Sequence, residues 1–115
     1  MRKQHLGKRG QSMAYKLNIT EHADELLDNL MHHLIYCLKN KQAAKHLLDS
    51  IDIIYDRLTV NPYQFPECRD VYLARKGYRE AVVPQMDYII MFDVRTDIVN
   101  VVGIFHQLEN YQSKL

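Results

Sequence analysis

Apolar side chains recur along this chain with two different periods, and the change of period divides it into a helical half and a strand-rich half. Residues 14–19 (Ala14-Tyr15-Lys16-Leu17-Asn18-Ile19) alternate polar and apolar side chains and predict a short first strand. Ala23, Leu26, Leu27, Leu30, Leu34 and Leu38 then follow at helical spacing. Thr20 is placed to cap that helix, Glu21 and Asp24 complement its positive end, and Lys39-Asn40-Lys41 mark its stop. A second helix carries Ala43, Ala44, Leu47, Leu48, Ile51, Ile54, Tyr55 and Leu58 on one side. It ends before Asn61-Pro62, because proline disfavours helical geometry at the residue preceding it. Two amphipathic helices joined by so few residues fold back as a hairpin.

After a linker at 61–77, the period shortens to that of strands. Residues 78–84, 88–94 and 98–106 are rich in Val, Ile, Tyr and Phe, and only short polar connections at 85–87 and 95–97 separate them. Connections of that length join antiparallel neighbours, so the three form a meander. The expectation is an α+β fold: an antiparallel four-stranded sheet in the order β-α-α-β-β-β, with the αα-hairpin packed on one face and the other face uncovered.

The residues that punctuate this order carry a resemblance. They are Asn61-Pro62-Tyr63 with Pro66, then Lys76-Gly77-Tyr78-Arg79-Glu80, then Tyr88-Ile89-Ile90-Met91-Phe92, and finally residues 101–107 with Tyr111 and Leu115 behind them. In that order and spacing, residues 14–115 resemble the RelE/ParE superfamily of toxins from bacterial type II toxin-antitoxin pairs. The resemblance implies growth inhibition, plasmid stabilisation, a cytoplasmic location, no cofactor, and a cognate antitoxin lying across the uncovered face of the sheet. It also implies a macromolecular target, DNA gyrase for the ParE type or the ribosome and its mRNA for the RelE type. A homo-oligomer is compatible with it.

Composition agrees with one small domain. At 115 residues the chain can bury one core shared by a sheet and two helices. No run of about 18 apolar residues is present, so no membrane-spanning helix is expected. Cys37 and Cys68 form no CxxC pair and read as free thiols. Residues 1–12 differ from the rest: Arg2, Lys3, Lys8 and Arg9 are uncompensated by acids and Leu6 is nearly alone as an apolar residue. They read as a flexible basic arm upstream of a domain at 13–115, with Met13 as the expected start; the alternative is an arm that touches nucleic acid. Removing the arm's four charges from the formal net charge of +1 leaves −3 for residues 13–115. A mildly acidic domain lacks the positive field that helps a protein onto RNA.

Candidate chemistry is sparse. None of His22, His32, His33 and His46 sits in an HExxH pattern, and the 4 glycines are too scattered for a phosphate-binding loop, so no metal and no cofactor are expected. Nuclease members of the resembled family let the RNA 2′-hydroxyl attack its own phosphate, which needs a base, an acid and arginines for the developing charge. His106 and Tyr111 are the candidate catalytic residues if the chain is such an enzyme. The two arginine positions, however, fall on Ile89 and Leu108, which donate no hydrogen bond. Arg79 and Glu80 stand at the far end of the meander, about six residues of ~3.3 Å from the level of His106. Arg75, Lys76, Arg79, Glu80 and Tyr88 are therefore expected to bind a target or partner, with Arg69 adding to a local basic patch. A ParE-like toxin is the first reading; an mRNA endonuclease of the RelE type and a non-toxic binding module of the same fold are the alternatives.

Overall fold

The computed structural model of the chain describes residues 14–107, so the basic arm, Met13, Leu108, Tyr111 and Leu115 lie outside the described residues. Strand β1 spans Lys16–Ile19, helix α1 spans Glu21–His32, and a π-helical turn at His33–Cys37 continues it. Helix α2 spans Lys41–Val60. A 3-10 turn at Pro62–Gln64 and a short helix α3 at Val71–Arg75 precede strands β2 (Arg79–Val82), β3 (Tyr88–Arg95) and β4 (Ile98–His106). The helix starts follow the expected chemistry. Thr20 Oγ1 accepts the Ala23 N–H at 3.1 Å and opens α1. Asn40, expected only to help end the first helix, also opens the second, its Oδ1 accepting the Ala43 N–H at 3.0 Å. Lys39, at φ +51, makes the reversal between them.

The sheet is four-stranded, in the order β1-β4-β3-β2. It is mixed, which corrects the antiparallel expectation: β2-β3 and β3-β4 are antiparallel, but β1 runs parallel to β4, with Lys16 level with Ile98 and Ile19 with Val101. The direction follows from the hairpin. Helix α2 brings the chain back to the end where β1 began, where the Tyr15 N–H donates to Thr59 O at 3.1 Å. Strand β2 therefore starts out in the direction of β1, and after two tight reversals β4 must share it. Local periodicity predicts strands but carries no information on this parity.

The hairpin packs on one face as expected. Leu34, Leu47, Ile51, Ile54, Tyr55 and Leu58 from the helices share a core with Leu17, Ala81, Val83, Ile90, Phe92, Val99, Val101 and Ile104 from the sheet. The opposite face is covered as well, contrary to expectation. Ile89, Met91 and Phe105 are buried there beneath Cys68 and Leu73 of the 61–77 linker, with Leu26, Tyr78 and Val102 packed around them. The linker can do this because Asp70 caps α3 through the Leu73 N–H at 3.2 Å, while Gly77 at φ +93 turns the chain back into β2.

Burial separates two residues of α2 that composition alone treats alike. Leu58 is 0% exposed and Ile53 is 60% exposed. Leu58→Ala should destabilise the domain by about 2 to 5 kcal/mol. Ile53→Ala should stay within about 0.5 kcal/mol. Chemical denaturation of both variants measures the difference, and equal effects would show the helix face to be misassigned.

Candidate functional site

Side chains capable of recognition gather where the linker meets β2. Asn61 Oδ1 accepts the Tyr63 N–H at 3.0 Å, and Gln64 Nε2 donates to Asn61 O at 2.8 Å and to Arg57 O at 3.1 Å. These bonds fix the turn that presents Tyr63 outward and Phe65 inward. Arg57, on the last turn of α2, lies 4.7 Å above the Phe65 ring and donates from Nε to Gln64 Oε1 at 2.8 Å. Arg79, the first residue of β2, donates from Nη1 to Phe65 O at 2.6 Å and lies 5.0 Å from the centre of the Tyr63 ring. Tyr15 meets Tyr63 edge-on, with centroids 6.1 Å apart.

Glu80, the next residue, points to the other face because strand side chains alternate. It is 2% exposed, and a carboxylate at that depth needs partners. Arg69 supplies them from the linker: its Nε donates to Oε2 at 2.9 Å and its backbone N–H to Oε1 at 3.3 Å. The same guanidinium donates from Nη2 to Gln107 Oε1 at 3.0 Å. Glu80 thus ties the linker down over the sheet instead of offering itself to a target. Beneath the linker, burial pushes the Cys68 thiol up to about 12, with the charges of Glu80 and Asp70 adding to the effect. The short α3 exposes Val71, Tyr72, Arg75 and Lys76. Lys76 Nζ lies 4.7 Å from the Tyr72 ring centre, and its hydrogen bond to Tyr72 holds its ammonium above the usual range.

The expected catalytic end of the sheet is built differently. Tyr88 is level with His106, and their rings meet edge-to-face with centroids 5.4 Å apart. Tyr88 also packs against the hairpin-side core. Ile89, where a nuclease would place an arginine, is 0% exposed and belongs to the core under the linker. Arg79 is level with Phe92, four strand steps from Tyr88 rather than six, so about 13 Å along the sheet separates it from His106. Arg79, Glu80 and His106 form no common site. Among the described residues no group of three His, Cys, Asp or Glu side chains could hold a metal.

Arg79, expected from the sequence to bind a target or partner, lies beside Tyr63 and near Arg57, which the sequence did not single out as site residues, and Gln107 joins Arg69 unexpectedly. Arg57 had a detectable signal: Ile53, Arg57 and Val60 recur at i, i+4, i+7 on the side of α2 opposite its apolar stripe. Gln107 had none, because its role depends on how far Arg69 reaches across the sheet.

A family model described as the ParE toxin of type II toxin-antitoxin systems, parDE, matches residues 17–111. A solved structure described as the chromosomal ParDE TA system from P. aeruginosa is similar in fold, with a TM-score of 0.66 at 18% sequence identity, covering 83% of this chain and 98% of that one. No curated protein matches.

Arg69→Ala should cost about 1 to 3 kcal/mol, because it leaves Glu80 buried without its charged donor. The linker then opens more often. At pH 8, iodoacetamide should modify exposed Cys37 in the unaltered protein and spare buried Cys68, whereas Arg69→Ala should label both. Peptide mass mapping distinguishes the two cysteines. Equal protection of Cys68 in both proteins would show that the ion pair does not hold the linker.

Proposed function

The chain belongs to the ParE toxin family of type II toxin-antitoxin systems, and from that premise we propose that it arrests growth by binding DNA gyrase, without cutting RNA, until a cognate antitoxin neutralises it. The observation that carries the proposal is Ile89. A phosphoryl-transfer site must place hydrogen-bond donors around the developing charge. Here the strand position that would supply one is aliphatic, fully buried and covered by Leu73 and Cys68. His106, which could serve as an acid, stands about 13 Å along the sheet from Arg79.

The surface supports binding instead. Val71, Tyr72, Arg75 and Lys76 form an exposed, cationic and partly apolar patch on α3, the composition that protein interfaces favour. The tie between Arg69 and Glu80 holds that patch against the sheet, so it meets a target without first being ordered. Arg75 and Lys76 are the residues we assign to the target. Tyr88 instead covers the core. A cytoplasmic location follows from the target; among the described residues no helix is long and apolar enough to cross a membrane.

Induced expression of the chain without a partner should arrest growth, with DNA-damage signalling as the companion response. Primer extension on cellular transcripts should show no new ribosome-dependent cuts. Arg75→Glu with Lys76→Glu should relieve the arrest, and His106→Ala should leave it intact. Codon-positioned cleavage that vanishes in His106→Ala would reverse the assignment in favour of the endonuclease.

A further inference from the structure

We propose that Arg57, Tyr63 and Arg79, continued along α2 by Val60 and Ile53, form the surface on which the antitoxin docks an amphipathic acidic segment, its carboxylates received by the two guanidiniums. The inference rests on the toxin-antitoxin reading and names the site and chemistry of that partner.

The charge pattern points to carboxylates. Among the described arginines, Arg69 pairs with Glu80 and Arg95 with Asp93, whereas Arg57, Arg75 and Arg79 have no carboxylate among the described residues. Arg57 and Arg79 differ from Arg75 in being held in place. Each is held by an aromatic ring and a single neutral oxygen, at 2.8 Å for Arg57 and 2.6 Å for Arg79. Arg57 uses only Nε, so its two terminal nitrogens remain as a planar fork, the geometry that takes a carboxylate with two parallel hydrogen bonds. Both arginines converge on Phe65, one on its ring and the other on its carbonyl, so a single segment could meet both.

The apolar pattern points to an amphipathic segment. Ile53 is 60%, Val60 58% and Tyr63 52% exposed. Ile53, Arg57 and Val60 share one face of α2, and Tyr63 is exposed on the turn that follows the helix, against Arg79. A solvated helix face ordinarily carries polar residues there. Tyrosine and arginine beside apolar neighbours are the residue types that dominate binding energy in protein interfaces. The turn is already fixed by Asn61 and Gln64, so little order must be gained on binding.

A polyanion is the poorer match. Nucleic-acid affinity grows with the number of phosphates neutralised, and residues 13–115 carry a formal charge of −3 with this pair included. Two isolated guanidiniums suit two discrete carboxylates on a protein whose remaining contacts are apolar.

The test is titration calorimetry of the full chain against the product of the reading frame adjoining its gene, at fixed salt. Arg57→Gln, Arg79→Gln, Tyr63→Ala and Ile53→Glu should each weaken the complex by about tenfold or more. Arg75→Gln, on α3, should change it by less than about threefold. Circular dichroism checks each fold, and Ile53→Glu, at an exposed position, keeps the test decisive if Arg79→Gln does not fold. A complex formed with unchanged affinity by all four variants overturns this surface while leaving the toxin-antitoxin reading in place. Failure of the unaltered chain to form any complex overturns both. Binding of a single-stranded 20-nucleotide DNA that the same substitutions abolish, with antitoxin affinity untouched, would assign the arginines to nucleic acid and overturn the proposal.

Discussion

Strand β3 is the constraint on which the rest of the molecule depends. Residues 89–93 are all buried, and their side chains alternate between the two faces of the sheet. Neither face can be left to water. The hairpin covers Ile90 and Phe92, and the linker must cross beneath the sheet to cover Ile89 and Met91. Once there, it passes over Glu80, which needs a cation, and Arg69 meets that need while reaching Gln107 at the end of β4. The position of α3 and its exposed cations therefore follows from the burial of one strand.

On the proposed reading, the same constraint favours binding over catalysis. Covering Ile89 closes the place where a phosphate-stabilising arginine would have to stand, and an aliphatic side chain there is what a dry core favours. Cationic side chains are moved outward instead, to the linker and the end of α2. There they keep enough solvent to remain charged and enough aromatic support to stay ordered, as Arg57 does on Phe65 and Lys76 on Tyr72. Such side chains recognise a partner well and activate a nucleophile poorly.

Much of this was legible in the residue pattern. The two helices, the Thr20 cap and the meander follow from periodicity and from the stop at Asn61-Pro62, and the order of those parts carried the family resemblance, whereas the Asn40 cap of α2 did not follow from the pattern. The parallel pairing of β1 with β4 was not legible, because it depends on where α2 returns the chain. Nor was the covering of the second face: Cys68 and Leu73 share the linker with Phe65, Val71 and Tyr72, and the sequence does not distinguish which of these apolar residues turn to the sheet. The shortcoming at the site has a similar cause. Arg79 and Glu80 are neighbours in sequence and looked like one patch, but a strand sends them to opposite faces, one to the aromatic cluster and the other into the core.

The central claim is that the chain acts on a protein target by surface contact and not by RNA cleavage. The most direct measurement is supercoiling of relaxed plasmid by purified DNA gyrase in the presence of increasing amounts of the purified chain. The account predicts that supercoiling falls as the chain is added and recovers when the antitoxin is supplied. Undiminished supercoiling at a large excess of folded chain, together with cutting of mRNA on purified ribosomes, would contradict it.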